Sequence, residues 1–556
     1  MRVTLRVGRD ERARVVRAAT HRLDRDPVHR EGGLPGQQLC HGAQDLHARV
    51  VRPGLDAFGV ATLGEGKQLG TERRRRRRGG ENGVEVGRRH GGNVVAVGRT
   101  GAAPLPSDAI PATFAGSMPV APDSYTGTVR LEPPGAIVDI AARLQAAGFE
   151  TWCVGGAVRD ALLGVPHLDW DLATAALPRD VQRLFARTIP VGIDHGTVGV
   201  IGSDGRMHEV TTFRADVETD GRHAVVRFGV SLDEDLARRD FTINAMAWSA
   251  SRGVLHDPFD GRGDLARRIV RAVGDPRLRM AEDRLRALRA LRFAARFDFA
   301  LEPATWAAIV ESAPALGRLS VERVKQEWEK TLRQVTHPSR AFERWRASGA
   351  LRTLLPALHD VPAWAFAACD HVPPPDGTTR AERADLRYLV RLALPLLPLA
   401  PKAARALLRD LRCSNHEITV AGTIVEAWHA HGDALADAAT SSPTPATLRR
   451  LAAAIGRTRT SGVLRACAAA WRARAAAGLP APAAHDVSRL AHRLLRTAWR
   501  EPVGLADLAI TGDDLRAAGI PAGPRLGATL QRLLGAVLDD PARNTRDALL
   551  ALATEE

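Results

Sequence analysis

The stretch from Val154 to Thr174, VGGAVRDALLGVPHLDWDLAT, constrains the fold of this 556-residue chain more than any other. Two adjacent glycines, Gly155 and Gly156, are followed by an apolar run with the period of a helix. Ten residues after Arg159 come two carboxylates at positions i and i+2, Asp169 and Asp171. The pattern predicts a turn from a strand into a short helix, followed by an extended segment that carries both acids.

The spacing of these two carboxylates suits phosphoryl chemistry. In an extended strand both side chains point to one face, about 7 Å apart. Such a pair holds Mg²⁺, which prefers carboxylates together with substrate phosphates. The glycines let the backbone approach a triphosphate, whose charge a helix N-terminus and Arg159 would favour. The alternative is an ordinary strand-to-helix turn followed by a solvated acidic strand end.

Two further segments carry candidate residues. Glu209, in HEVTTFR, could position a metal or activate an attacking hydroxyl, although a single acid in a strand is more often solvated. Arg238 and Arg239, in DLARRDFTINAMA, could neutralise phosphates or belong to a helix-capping charge cluster. The polar residues 215–233 between them predict a mobile loop.

The stretch EDRLRALRALRFAAR predicts a helix with one polar stripe. Asp283, Arg286, Arg289 and Arg292 recur every three residues, and leucines follow the same rhythm on the core side. An Asp and an Arg one turn apart can hydrogen-bond the Watson–Crick edge of a base, so that protein replaces a template. Arg289 and Arg292 could reach the phosphates. The alternative is a solvated, salt-bridged helix face.

The excess of basic residues is concentrated near the start of the chain. Residues 1–117 hold 21 Lys and Arg against 12 Asp and Glu, and the other 439 residues hold 57 against 51. The first segment has two aromatic residues and six consecutive arginines, Arg73 to Arg78. Such a segment buries too little apolar surface to offset its loss of conformational entropy. We expect residues 1–117 to be a disordered basic extension, or to be untranslated, with initiation at Met118.

Cysteine usage and hydropathy predict a soluble cytoplasmic protein. The five cysteines are scattered without a CxxC pair, which argues against a disulfide framework and a structural zinc site. No apolar run approaches about 18 residues, and Met1 is followed by charges rather than by an apolar leader. We therefore expect no membrane partner, while the mildly basic remainder of the chain fits an RNA partner.

Beyond roughly residue 300 the chain is dense in Ala, Leu and Arg, and the pattern predicts helices almost throughout. Breaks between helices are expected at 371–383, 440–446 and 478–485, where turn-forming residues cluster.

Residues 134–300 resemble the catalytic half of the class II tRNA nucleotidyltransferase family, which comprises the CCA-adding enzymes and the bacterial poly(A) polymerases. The matching motifs occur in order: VGGAVRD with DWD, HEVTTFR, ARRDFTINA, DPFDGRGDL and EDRLRALRALRF. The segment Val191 to Val200 and the tail from Ile510 to Leu538 are similar to those of CCA-adding enzymes rather than poly(A) polymerases.

The resemblance implies an α+β fold with four parts. A polymerase-β-like nucleotidyltransferase head with a small mixed or antiparallel sheet would occupy 134–272. An all-α neck over 273–340 would recognise the base, followed by a helical body over 341–445 and a helical, tRNA-binding tail over 446–556.

The resemblance also implies roles for individual residues. Asp169 and Asp171 would be the metal ligands. Gly156, Arg159 and Arg239 would hold the phosphates of the nucleotide. Asp283 and Arg286 would select the base, and Arg289 and Arg292 would complete the nucleotide site. The expected activity is template-independent addition of C, C and A to the 3′ end of tRNA, from CTP and ATP with Mg²⁺.

Other functions stay open at this point. A poly(A) polymerase, or a partial enzyme that adds only C or only A, would use the same motifs. A non-catalytic RNA-binding protein on the same scaffold is the alternative of another class, although a binding module needs no pair of metal-binding acids.

Overall fold

The computed structural model describes residues 131–165, 169–219, 224–374 and 380–555. The extension predicted for 1–117 lies outside these described residues. The strands are β1 (Thr151–Val154), β2 (Asp171–Thr174), β3 (Thr188–Gly192), β4 (Thr197–Ile201), β5 (Met207–Thr212), β6 (Arg214–Thr219), β7 (Ala224–Phe228), β8 (Ala247–Ser249), β9 (Val254–His256), β10 (Ile269–Val270) and β11 (Ala300–Leu301). The helices that accompany them are α1 (Gly135–Ala146), α2 (Gly156–Leu162), α3 (Pro178–Leu184), α4 (Leu232–Ala237), α5 (Gly261–Arg267), α6 (Pro276–Glu282), α7 (Leu285–Phe297) and α8 (Pro303–Ser312).

Seven of the strands form one mixed sheet in the order β3-β4-β5-β2-β1-β8-β9. The pairing of β2 with β5 is parallel and the other pairings in this sheet are antiparallel. The predicted α+β fold with a small mixed sheet is therefore confirmed.

One face of the sheet is covered by helices. The opposite face, the open face, is covered by α4 over β1 and β8 and is uncovered only toward β5, β4 and β3. Buried and partly exposed residues alternate along β5, as expected when only one face packs on a core. Leu172, Val198 and Val210 belong to the same buried cluster as Ile137 of α1 and Val181 of α3. Helices α1 and α3 therefore cover one face, and polar residues of β2 and β5 are left on the other.

The prediction of a mobile loop over 215–233 is wrong. Strands β6 and β7 pair antiparallel as a hairpin, and α4 begins at Leu232. The connection at 220–223 lies outside the described residues. The polar composition concealed the strands, because two strands paired with each other need no continuous apolar run.

The rest of the chain is helical, as predicted. Its helices are α9 (Val321–Gln334), α10 (Pro338–Ala347), α11 (Ala350–Leu354), α12 (Ala363–Ala367), α13 (Arg380–Ala393), α14 (Pro401–Asp410), α15 (Asn415–Thr440), α16 (Pro445–Ile455), α17 (Thr460–Ala476), α18 (Ala484–Arg500), α19 (Gly512–Ala517), α20 (Pro524–Asp539) and α21 (Arg546–Thr554). The three predicted breaks coincide with the boundaries between α12 and α13, α15 and α16, and α17 and α18. In the described part of the chain, no helix combines the length and the hydropathy that a membrane span requires.

Helix α9 is fixed to the helices that follow it by a fully buried arginine. The guanidinium of Arg391, on α13, donates to the backbone carbonyls of Leu332 (2.7 Å) and Val335 (3.0 Å) at the end of α9. It also donates to the carbonyl of Thr336 (3.0 Å) and, through Nε, to that of Cys369 (2.9 Å). Carbonyls at a helix C-terminus lack partners within the helix, so this cation satisfies them and complements the helix dipole.

Replacing Arg391 by Met should lower the free energy of unfolding by about 3 kcal/mol, because it leaves several buried carbonyls without donors. Urea unfolding followed by circular dichroism measures this change. The matched control is Arg387→Met, one turn earlier on α13, where the described contact is a single 3.3 Å hydrogen bond to Val372. A loss as large for Arg387→Met would contradict this account.

Candidate active site

The double glycine forms the turn between β1 and α2. Gly155 has φ +76° and ψ −139°, a conformation that side-chain-bearing residues rarely adopt. A Cβ at this position would lie 3.2 Å from Nη1 of Arg239 and 4.0 Å from Oδ2 of Asp171. Two separate reasons therefore require glycine at position 155: its backbone conformation and the close approach of these two charged side chains.

The sheet brings two of the predicted acids side by side. Asp171 begins β2, and the parallel register pairs Leu172 with Val210, so that Glu209 of β5 is the neighbour of Asp171. Asp169 lies two residues earlier, exposed and just before the strand rather than within it. Strand β2 pairs with β1 from Asp171 and with β5 from Leu172. The prediction that both aspartates lie within one strand is therefore correct for Asp171 and wrong for Asp169.

The electrostatics of this cluster favour a bound cation. Burial and, after it, the negative charges of Glu209 and Asp169 together raise the pKa of Asp171 to about 7, although Arg239 acts in the opposite direction. A divalent ion would relieve this repulsion. Within the described ranges, no group of three or more His, Cys, Asp or Glu side chains is placed to hold a metal by itself. The arrangement fits Mg²⁺ held by one or two carboxylates and completed by substrate phosphates.

Arg239 is held at the site by a buried acid. Asp235, whose side chain is 1% exposed, accepts from Arg238 at 2.9 Å and from Nη2 of Arg239 at 3.0 Å. The two arginines lower the pKa of Asp235 and offset the effect of its burial. Nε of Arg239 is buried and has no hydrogen-bond partner among the described residues. Arg239 therefore retains donor capacity beside Asp171.

A cleft of about 510 Å³ joins the open face of the sheet to α7. Its lining includes predicted residues from both parts of the chain: Gly156, Arg159, Asp171, Glu209, Arg239, Asp283, Arg286, Arg289 and Arg292. Asp169 is outside this lining, although its charge acts on Asp171. The structure thus assembles in one cleft motifs that are separated by more than a hundred residues of sequence.

The predicted polar stripe does not lie wholly on one helix. Asp283 falls in the break between α6 and α7, where one carboxylate oxygen caps the amide of Leu285 at 3.0 Å and the other accepts from Arg323 at 2.8 Å. The three-residue rhythm did not reveal this break because an N-terminal capping residue keeps nearly the spacing of the helix.

The arginines of α7 that the sequence pattern selected are oriented by neighbouring groups. Arg286 donates to Glu282 at 2.7 Å and to the backbone carbonyl of Arg238 at 2.8 Å. Arg289 forms an ion pair with Asp240 at 2.7 Å. The alternative of a solvated helix face is excluded for Arg286 and Arg292, which are 8% and 3% exposed.

Arg159, for which a contact with phosphates was predicted, is almost completely buried. It is 3% exposed, forms an ion pair with Asp160 at 2.6 Å, and lies over the rings of Phe293 and Phe297 at 5.1 and 4.7 Å. Its Nη2 nevertheless lies 3.3 Å from the position of a Cβ on Gly156. Arg159 thus links the glycine turn to α7.

Sequence reasoning did not select the residues that α9 contributes. Glu327, which is fully buried, binds Nε of Arg292 at 2.7 Å, and Lys330 and Gln334 line the cleft. Together with Arg323 these residues follow helical spacing, i, i+4, i+7 and i+11, on one face of α9. That spacing was visible in the sequence and could have indicated them.

Comparison with known proteins identifies the family. The model of the poly(A) polymerase head domain matches residues 151–271, a probable RNA- and SrmB-binding site of polymerase A matches 298–361, and a putative tRNA nucleotidyltransferase domain 2 matches 503–553. A CCA-adding enzyme of Geobacillus thermodenitrificans is 35% identical over 429 residues, which cover 76% of this chain and 98% of that protein. The chain belongs to the CCA-adding enzyme family.

Further relatives support this assignment. CCA-adding enzymes of Limosilactobacillus fermentum and Geobacillus stearothermophilus are 47% and 48% identical, and the chain spans about half of their length (48% and 50%). The crystal structure of the Bacillus stearothermophilus CCA-adding enzyme in complex with CTP has a TM-score of 0.62 and 33% identity, covering 76% of this chain and 98% of that one. A Thermotoga maritima CCA-adding enzyme complexed with tRNA, at 21% identity and a TM-score of 0.54, shares the fold.

The raised pKa of Asp171 predicts how the stability of the metal-free protein depends on pH. An unfolded Asp has a pKa of about 3.9. Between that value and about 7 the folded carboxyl holds a proton that the unfolded one has lost, so the stability of the folded state falls as pH rises. In EDTA, Asp171→Asn should therefore have a higher melting temperature than the wild type at pH 8, and the difference should shrink at pH 5.

The control for this measurement is Asp514→Asn. Hydrogen bonds from the backbone amide and the hydroxyl of Thr511 lower the pKa of Asp514 to about 2, so its stabilising effect is complete above the unfolded pKa of about 3.9 and is lost only below it. The difference between Asp514→Asn and the wild type should therefore stay constant from pH 5 to pH 8. Equal pH profiles for both variants would contradict the repulsion at Asp171.

Proposed function

We propose that this protein adds C, C and A to the 3′ end of immature tRNA from CTP and ATP, without a nucleic-acid template. The observation that carries this proposal is the single cleft in which Asp171 and Glu209 of the sheet meet Asp283 and Arg286. The first pair suits nucleotidyl transfer and the second suits recognition of a base. A relative that is matched over 98% of its own length is named a CCA-adding enzyme.

The residues of the chain contribute mainly position and charge. The terminal ribose hydroxyl of tRNA attacks the α-phosphate of the nucleotide, and pyrophosphate leaves. Arg239 binds the phosphates, and Glu209 orients the attacking hydroxyl beside Asp171. Mg²⁺, held by Asp169 and Asp171, would neutralise the charge that develops on the phosphate oxygens.

Base selection is assigned to the junction between α6 and α7. The carboxylate of Asp283 and the guanidinium of Arg286 offer an acceptor set beside a forked donor set. Helix α9 supports this junction, because Arg323 binds Asp283 at 2.8 Å and fixes the orientation of its carboxylate. Arg289 and Arg292 complete the wall of the nucleotide site.

The proposal is tested with tRNA transcripts that end before the first C. The protein is incubated with labelled CTP alone, ATP alone, and both, with and without EDTA. We expect two C residues from CTP alone, a complete CCA end from the mixture, and no product in EDTA. Long A tracts would identify a poly(A) polymerase instead. Addition that stops after the C residues, or that requires a transcript already ending in CC, would identify a partial enzyme.

Asp169→Ala should lower the rate of C addition by roughly a thousandfold or more, because the charge developing at the phosphate loses its counterion. Affinity for tRNA, measured by filter binding, should be unchanged. The matched control is Asp139→Asn on α1, on the covered side of the sheet, which should keep the wild-type rate. A fully active Asp169→Ala variant would refute the metal-binding role.

Asp283→Asn should reduce discrimination between CTP and UTP by about tenfold, because the loss of one charged hydrogen bond to the base costs a free energy equivalent to that ratio. Asn retains an oxygen that can cap the amide of Leu285, so α7 keeps its start. Asp275→Asn is the control, because Asp275 caps α6 in the same way. Relative kcat/KM values for the four nucleotides decide the question, and an unchanged ratio would count against base reading by Asp283.

A further inference from the structure

The open face of the sheet continues past the cleft to its edge. Ile189 of β3 is paired with Gly199 of β4, and Gly199 is paired with Glu209 of β5, so these three positions share one face. A Cβ on Gly199 would meet Sδ of Met207 at 2.7 Å and Cγ2 of Val191 at 3.0 Å. Both side chains therefore lie over Gly199, on the face that carries Glu209.

Ile189, Val191 and Met207 form an exposed apolar platform around Gly199. Their exposed fractions are 44%, 45% and 40%. A single exposed apolar residue is ordinary on a protein surface. Several that adjoin one another, on the same face as the carboxylate of Glu209, indicate a binding surface. The surface of the sheet next to the cleft is therefore apolar, whereas the cleft itself is lined mainly by charged side chains.

The order of strands indicates which reactant passes this surface. The phosphate-binding groups lie at the β1 end of the cleft, around Gly155 and Arg239, and α7 forms the wall above it. In a phosphoryl transfer the leaving pyrophosphate and the attacking oxygen are roughly in line on opposite sides of the phosphorus. The attacking hydroxyl therefore comes from the side of Glu209 that faces β4 and β3, across the platform.

We propose that the apolar platform receives the 3′-terminal nucleotide of the tRNA acceptor end, with its base lying against Ile189, Val191 and Met207. This inference rests on the proposed function. Every nucleic-acid base has a flat π-face, and extruded bases pack against apolar as well as aromatic side chains. Such a contact suits an enzyme whose terminal nucleotide changes after every addition, and it holds the ribose hydroxyl toward Glu209.

A second protein chain pairing with the edge of β3 is disfavoured by the backbone. Pro190 lies inside the strand and lacks an N–H, and the register with β4 shifts between Ile189 and Gly192. Proline and irregular pairing at an edge strand both block the addition of another strand. The side chains of β3 are thus more available to a ligand than its backbone.

The test compares Ile189→Thr/Val191→Thr with the control Val254→Thr. Threonine keeps the β-branched shape, and Val254 is a comparably exposed (48%) residue of β9 at the opposite edge of the sheet. For a tRNA transcript lacking CCA, the double variant should raise the KM for tRNA about tenfold through loss of apolar contact. The KM for CTP and the melting temperature should not change. Val254→Thr should behave as the wild type.

A transcript whose 3′-terminal residue lacks its base provides the decisive comparison. If the platform contacts that base, the wild type should show a raised KM with this transcript, and the double variant should show no further increase. Met207→Gln, on β5, should also raise the KM for tRNA and show no further increase when the base is removed. This single variant replaces the double variant if the latter is unstable. If the double substitution and the removal of the base each raise the KM for tRNA, and the two increases multiply when combined, the proposal is overturned.

Two other outcomes are distinguishable from these. A wild type that adds no C to tRNA refutes the proposed function itself, whereas an active wild type with equal tRNA KM in all variants overturns only the platform. A wild-type dimer in sedimentation that Ile189→Thr/Val191→Thr converts to a monomer would assign the surface to a second copy instead.

Discussion

The parallel pairing of β2 with β5 is the contact on which the rest of the site depends. It places Asp171 beside Glu209 on the open face, while Leu172 and Val210 anchor the same two strands in the core. Burial of Asp171 and its repulsion by the neighbouring Glu209 both raise the pKa of Asp171. The apolar side chains of the two strands therefore stabilise a pairing in which the acidic side chains on the opposite face repel each other.

The opposite wall of the cleft is fixed by ion pairs rather than by strand pairing. Helix α9 binds Asp283 through Arg323 and Arg292 through the buried Glu327. Its C-terminal end is in turn held by Arg391 of α13. The positions of Asp283 and Arg292 thus depend on helices far along the chain, and changes near Arg391 are expected to reach the cleft through α9.

Much of the architecture followed from local pattern. The turn from a strand into a short helix at Gly155 and Gly156, the helices beyond residue 300 and the breaks between them were all predicted from periodicity and turn residues. The hairpin of β6 and β7 was missed because its polar sequence looks like a loop until the two strands pair. The start of α7 was misplaced because Asp283 keeps the three-residue rhythm but lies before the helix, where its side chain accepts from the amide of Leu285.

The sequence by itself determined which residue types are available for nucleotidyl transfer: acids at i and i+2, a double glycine, and an Asp-Arg pair in EDRLR. Local spacing and side-chain chemistry are sufficient for that, since neither depends on distant contacts. Only the tertiary structure decided that Glu209 is the neighbour of Asp171, that Glu327 orients Arg292, and that an apolar platform continues the same face. These relations arise from strand register and helix packing between segments that are remote in the chain, and local periodicity carries no information about them.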